Sequence, residues 1–333
     1  MRVLVTGNRG YIGAHLVDLL KAEGHTVTGV DLDLFAGCEF APFIAPDVQL
    51  KQDVRTLTTA QLEGHDTVMH LAAISNDPMG DLDSSSTYSI NRDGSIALAA
   101  SAKKAGVARF LFASSCSIYG KGEKLDLTES DSTNPVSAYA ESKIDAEKGI
   151  GLLASKEFTV GFLRNSTAYG YSPMLRIDLV VNNLLCCALA RGDIRIMSDG
   201  SPWRPLIHCK DIARAFIAFM HAPSEAIQNR PINVGGNAEN YQVRQVGDLV
   251  RKFVPSASIV YTGEVGNDPR NYRVSFDLLG QQIPGFSLAY TLESGMEELH
   301  RKLVERNFSL TDFEGEKYVR LRTLKHRLDR IAL

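Results

Sequence analysis

Met1 to Asp31, MRVLVTGNRGYIGAHLVDLLKAEGHTVTGVD, decides how the remainder of the chain is read. Arg2 to Thr6 is β-branched and apolar, the composition of a strand buried on both faces. Gly7, Gly10 and Gly13 follow at three-residue spacing. Ile12, Leu16, Leu19 and Leu20 then share one helical face, and a second β run closes on Asp31. In such a turn the first glycine permits the tight reversal. The second lets backbone approach a pyrophosphate, and the third lets helix pack on strand. The helix start offers free N–H groups and the positive end of its dipole to phosphate. Asp31 stands about 20 residues on, where a carboxylate accepts hydrogen bonds from an adenosine ribose diol. Leu32, Asp33 and Leu34 bring no cation for a 2′-phosphate. Strand, glycines, helix, strand and acid in this order predict an NAD site containing Gly7, Gly10, Tyr11, Ile12, Gly13 and Asp31.

Composition narrows the class. The chain has 333 residues, enough for two lobes, with 44% hydrophobic and 23% charged residues, as in ordinary globular proteins. A net charge of −3 argues against a nucleic-acid or anionic-membrane partner. No apolar run approaches the roughly 20 residues that span a bilayer. Met1 leads directly into the first strand, so no leader is expected and the location reads as cytoplasmic. Cys38, Cys116, Cys186, Cys187 and Cys209 are odd in number and contain no C-x-x-C pair, which suits reduced thiols. The eight histidines show no ligand spacing, so no metal site is expected.

Beyond Asp31, residues 32–46 read as an irregular loop and Val48 to Leu50 as a third strand. Asp53, followed by Val54, is either an acid meeting the adenine amino group or an ordinary polar residue of a surface loop. Thr67 to Leu71 is a strand whose exit, Leu71, Ala72 and Ala73, either lets a dinucleotide pass close to the backbone or serves sheet packing alone. Ser86 to Ala105 reads as one long helix bearing Asn91, either a structural hydrogen-bonder or part of a proton path. Arg109 to Ala113 is a strand delivering Ser114, Ser115, Cys116 and Ser117 at its carboxyl end, the edge where ligands sit in open α/β sheets. A turn-rich loop, Gly120 to Pro135, precedes a helix opened by Ser137. Thr159 to Arg164 completes a strand–helix alternation that predicts a doubly wound parallel sheet.

After Gly170 the rhythm changes. Helices are expected over Asp178–Arg191, Asp211–His221, Gln242–Val254 and Leu292–Val304, with strands at Ile194–Met197 and Pro231–Val234. The expected division is an NAD-binding Rossmann domain over 1–170, with 205–238 returning to it. A smaller, interleaved substrate domain takes 171–204 and 239–333. The basic, leucine-spaced segment Tyr318 to Leu333 reads as a solvated terminal helix or a dimer contact.

Tyr139 and Lys143, four apart, share a helical face. An ammonium beside a phenol favours the phenolate, and such a tyrosine can move the proton of a substrate hydroxyl while a nicotinamide moves the hydride. Ser115, at the neighbouring strand end, is placed to hydrogen-bond the same oxygen.

Taken together, TGNRGYIG (6–13), Asp31, SSCSIYG (114–120) and YAESK (139–143) resemble the extended short-chain dehydrogenase/reductases, in particular the NAD-dependent nucleotide-sugar epimerase/dehydratase group. LRNSTAYG (163–170), VNNLL (181–185) and GSPWRPLIHCKD (200–211) extend the resemblance over most of the chain. It implies that Ser115, Tyr139 and Lys143 are catalytic, with Tyr139 the base and Lys143 its electrostatic partner and ribose ligand. It implies a nucleotide-sugar site including Ser75, Ser115, Cys116, Ser117 and Thr167, with Asn183, Arg204 and Arg270 on the diphosphate, and a homodimer. The group's 4,6-dehydratases carry an Asp-Glu pair where this chain has Cys116 and Ser117, which argues against that reaction. The SNDPMGDLD stretch (75–83) and the tail resemble a branch acting in deoxysugar, heptose or antibiotic-sugar pathways. The expectation is a 4-epimerase acting through a 4-keto sugar. A net 4-dehydrogenase or 4-ketoreductase is the alternative, and a non-catalytic NAD sensor the third.

Overall fold

A computed structural model describes residues 1–75, 83–120, 126–263 and 270–331. Most of the SNDPMGDLD stretch lies outside the described residues. Strands β1 (Arg2–Thr6), β2 (Thr26–Asp31), β3 (Val48–Lys51), β4 (Thr67–His70), β5 (Arg109–Ser115) and β6 (Thr159–Asn165) build the first half of the chain. Strands β7 (Thr167–Tyr169), β8 (Asp193–Ile196), β9 (Trp203–His208), β10 (Arg230–Val234), β11 (Asn240–Gln242) and β12 (Ser258–Tyr261) follow.

Seven strands form one sheet in the order β10-β6-β5-β4-β1-β2-β3, and every pair in it is parallel. β1 is the switch point, because β2 continues the sheet on one side and β4 on the other. Its register sets Thr6 opposite both Val30 and His70, which opens a crevice at the carboxyl ends of these strands. Alternation along β1 sends Val3 and Val5 to one face, against helices Gly13–Ala22 and Cys209–His221. Leu4 goes to the other face, with Phe110, Phe112 and the helices carrying Leu98, Ala99, Ala146 and Ile150.

The remaining strands make two small sheets, β11-β9-β7 and β12-β8. Helices Val180–Arg191, Val243–Phe253 and Leu292–Glu305 pack with them around Leu185, Ile194, Ile196, Val250 and Leu299. Among the described residues, no helix is long and apolar enough to cross a membrane.

Two expectations are corrected, and one strand is added that no sequence signal marked. The helix anticipated over Ser86–Ala105 is Ser84–Thr87 and Ser95–Lys104 joined by a π-turn, Tyr88–Gly94. The wide turn carries Asn91, fully buried, into contact with the backbone at Ile74, a local trade common near functional sites. β9 was hidden by Pro205, which argues against a central strand yet here pairs opposite Asn240 in a three-stranded sheet. The terminal helix, Arg320–Ile331, is not solvated on all sides. Tyr318, Arg320 and Thr323 are buried, and Arg327 donates to the carbonyls of Leu34 and Ala36. The loop after β2 has few ladder partners of its own, and these guanidinium N–H groups satisfy its carbonyls.

Candidate active site

The glycine turn is shaped so that side chains are excluded. Gly7 adopts φ +70, and a Cβ there would stand 2.7 Å from the Ala72 nitrogen. At Gly13 a Cβ would meet the Gly7 oxygen at 2.1 Å, and at Gly10 the same oxygen at 3.0 Å. Ile12 precedes helix Gly13–Ala22 and no side chain caps it; Ala14 N donates to the Gly10 carbonyl at 3.1 Å, and the open helix start presents the positive end of its dipole to an anion. At the end of β2, Asp31 accepts from Arg9 N at 3.1 Å and Asp33 N at 2.8 Å, and burial raises its pKa. Arg9, the nearby cation, is held by Asp33 at 2.6 Å and Glu39 at 3.4 Å. A 2′-phosphate would therefore face acids, whereas a ribose diol finds acceptors. The narrow backbone cradle, uncapped helix and terminal carboxylate fit NAD.

Other anticipated cofactor residues line the same edge. Leu71 and Ala72 leave β4 half-buried, their N–H groups held by the Thr6 carbonyl and hydroxyl. Ala73 continues that half-buried exit. Val54 is buried, whereas the Asp53 carboxylate is grasped by Arg55 at 2.6 Å, which lowers its pKa and occupies part of its accepting capacity. Tyr11 reaches across to the second lobe. Its hydroxyl donates to the Gly170 carbonyl at 2.6 Å and accepts from Asn182 at 3.1 Å.

Helix Ala138–Gly151 starts at Ser137, whose hydroxyl accepts from Ala140 N. One turn in, Tyr139 is half-buried and Lys143 is 3% exposed. Lys143 Nζ donates to the Ala113 carbonyl at 2.8 Å and lies 5.8 Å from the Tyr139 ring centroid. Burial pulls the Lys143 pKa down to about 7, against a pull upward from Glu147 one turn further. The ammonium keeps N–H groups beyond the one given to Ala113, as a ribose-and-phenol ligand requires.

This lysine has a measurable signature. Its folded-state pKa lies below the 10.5 of a free side chain, so between about pH 7 and 10.5 the native chain binds fewer protons than the unfolded one. Stability then rises with pH across that window, and below it the full cost of burying the charge is present. NAD-free Lys143→Met is expected to melt above wild type at pH 6, with the gap closing as pH climbs past 7. A gap independent of pH in calorimetry would refute the assignment.

Ser115 ends β5, half-buried, and its Oγ accepts from Ser117 N at 3.1 Å. The O–H is left to donate. Cys116 is buried, gives its thiol proton to the Arg164 carbonyl at 3.1 Å, and burial drives its pKa well above the usual thiol range. Ser117 is also buried, and its hydroxyl has no partner among the described residues. Neither residue is an acid at neutral pH.

Of the residues expected to meet substrate, Ser75 is exposed and accepts from Arg176 at 3.1 Å. Thr167 is half-buried on β7. Arg204 is buried on β9 and donates to the carbonyl of Arg270, so the two arginines, far apart in the chain, meet. Asn183 donates to the Ile177 carbonyl at 3.0 Å and so braces the segment ahead of its own helix.

Three polar residues in the cleft walls escaped the sequence reading. Asn182, wholly buried, ties together Tyr11, Gly170 and the Arg176 carbonyl. Arg176 is paired with Asp178 at 3.0 Å and lies within electrostatic reach of Tyr11 and Tyr139. Arg320 is 3% exposed, its guanidinium 4.3 Å from the Phe35 ring, and one of its terminal nitrogens has no partner among the described residues. The VNNLL motif held a signal for Asn182. No local pattern marks Arg176 or Arg320.

Asn91 is occupied in holding Ile74, accepting from its N–H at 2.9 Å and donating to its carbonyl at 3.0 Å, with Ser142 of helix Ala138–Gly151 at 3.3 Å. Behind it, Thr6, His70 and Ser95 form a hydrogen-bonded chain. Burial holds the His70 pKa at about 3, so this imidazole is a neutral strut.

Residues 3–235 match the model of the NAD dependent epimerase/dehydratase family, and the chain belongs to that family, with NAD as its cofactor. An uncharacterized UDP-glucose epimerase, YtcB, of Bacillus subtilis is 27% identical, covering 89% of this chain and 96% of the relative. A UDP-glucose 4-epimerase of Neisseria meningitidis serogroup C is 27% identical, covering 79% of this chain and 85% of the relative. Among solved structures, TunA, an NAD dependent NDP-hexosamine 5,6-dehydratase involved in tunicamycin biosynthesis, superposes with a TM-score of 0.81 at 26% identity, covering 92% of this chain and 99% of that one. MoeE5 in complex with UDP-glucuronic acid and NAD gives a TM-score of 0.77 at 26% identity with the same coverage.

Proposed function

We propose that this chain is a nucleotide-sugar 4-epimerase-type enzyme, oxidising C4 of an NDP-hexose to a 4-keto intermediate and returning the hydride to the other face. The observation that carries the reading is the Ser115, Tyr139 and Lys143 set beside the glycine cradle, with Cys116 and Ser117 in place of carboxylates. Tyr139 takes the proton of the C4 hydroxyl. Lys143 holds the phenolate electrostatically, and the Ser115 O–H donates to the same sugar oxygen. NAD, when bound, supplies the hydride acceptor and donor. Arg204, Arg270 and Asn183 hold the diphosphate, the two guanidiniums by charge-assisted bonds. Tyr139 then returns its proton once the keto sugar has turned over. With no acid at 116 or 117, elimination of a C6 hydroxyl lacks its proton donor. Relatives named for UDP-glucose and UDP-glucuronic acid favour a uridine nucleotide. A cytoplasmic homodimer belongs to the same reading.

The test is a panel of nucleotide hexoses and hexuronates given to the purified protein, with nicotinamide absorbance followed while the sugar product is identified. Epimerised sugar without lasting NADH is the expected result. Lasting NADH with a keto sugar, or a pentose product, would replace the epimerase assignment by a dehydrogenase or a decarboxylase.

A further inference from the structure

At the edge of the large sheet opposite Asp31, three side chains from distant parts of the chain turn ligand atoms toward one point. Glu23 closes helix Gly13–Ala22, His25 stands just before β2, and His221 ends helix Cys209–His221. His25 Nε2 lies 3.5 Å and His221 Nε2 3.8 Å from the same oxygen, Glu23 Oε2. The three ligand atoms all fall within 4.8 Å of one another. Donors on a tetrahedral ion with bonds of about 2.0–2.1 Å stand roughly 3.3–3.4 Å apart. The distances to Glu23 are thus only slightly wider than in a coordination sphere, and the His221 and Glu23 side chains, 52% and 47% exposed, are free to close the set.

A further fact points the same way. His25 Nε2 is shielded from solvent and has no hydrogen-bond partner among the described residues, an arrangement that costs free energy unless something else meets that nitrogen. An ion on Nε2 places the ring proton on Nδ1, where the Met1 nitrogen, 3.2 Å away, accepts it only as the neutral amine, so binding releases a proton.

We propose that Glu23, His25 and His221 bind a divalent transition ion of the zinc class, with water completing its coordination. Two imidazoles and one carboxylate suit such an ion and not Mg2+ or Ca2+, which take all-oxygen shells. The site lies away from the cofactor cleft and joins the ends of two neighbouring helices. Their inner faces already pack together through Leu16, Leu20, Ala213, Phe216 and Met220. The ion is therefore a staple, stabilising the folded chain by binding it and not the unfolded one.

The NAD-loaded, metal-stripped protein is titrated with ZnCl2 in a calorimeter and with CoCl2 in a visible spectrometer. One ion per chain, cobalt bands of tetrahedral intensity and a zinc-dependent rise in melting temperature are expected. His221→Ala, at a half-exposed helix end, is expected to fold, to weaken zinc by at least about tenfold and to lose the thermal rise. Glu23→Gln is expected to weaken it less. Equal zinc binding by wild type and His221→Ala, no stoichiometric binding by wild type, or the same thermal rise with Mg2+ would each overturn the proposal.

Discussion

Tyr139→Phe is expected to lower turnover by about 10²–10⁴-fold, the range lost with a positioned general acid–base group, while NAD binding stays at the wild-type level. Phenylalanine keeps the ring that faces Lys143 across 5.8 Å and removes only the hydroxyl. The glycine cradle, the uncapped helix start and Asp31 are untouched, so cofactor retention through gel filtration is unaffected. Single-turnover reduction of bound NAD by substrate separates chemistry from product release. Turnover near wild type would remove Tyr139 from the mechanism, and lost NAD binding would move its role to the cofactor.

Glu147→Ala is expected to destabilise the fold by about 3–5 kcal/mol, the cost of leaving one buried charge without its partner. Glu147 and Arg164 are both over nine-tenths buried and meet at 2.8 Å. The carboxylate also accepts from the Ser114 hydroxyl. Arg164 in turn donates to Tyr119 at 3.2 Å, and Tyr119 donates to Asn233 at 2.8 Å. This network joins helix Ala138–Gly151 to β5, β6 and β10 directly behind Ser115, so its loss unseats the proposed site as well as the core. A fall in melting temperature on the order of 10 °C is the expected readout. Replacing the pair by Glu147→Leu with Arg164→Met is expected to recover much of the loss, because no charge is then stranded. An unchanged melting temperature in the single variant would show that water reaches Arg164.

The cofactor half of the molecule was legible because its signals are local. A β-branched run, three glycines, an apolar helix stripe and a terminal acid each report on neighbours a few residues away, and Gly13 admits no Cβ for a reason visible in the turn itself. The Tyr139–Lys143 spacing was legible on the same ground, since a helix fixes what four residues apart means. The strands of the smaller lobe were harder. β9 carries a proline, and β7 and β11 are three residues each, too short for periodicity to register.

The sequence by itself determined that a parallel, doubly wound sheet would carry a side-chain-free glycine turn at its switch point, because those features follow from period and backbone sterics. Only the tertiary structure decided which charges are buried and what they meet. It put Lys143 in a dry site, set Arg204 against Arg270, folded the basic tail onto the loop after β2 and brought His221 to Glu23 and His25. Desolvation and long-range contact depend on chain closure over tens to hundreds of residues, and no local spacing encodes them.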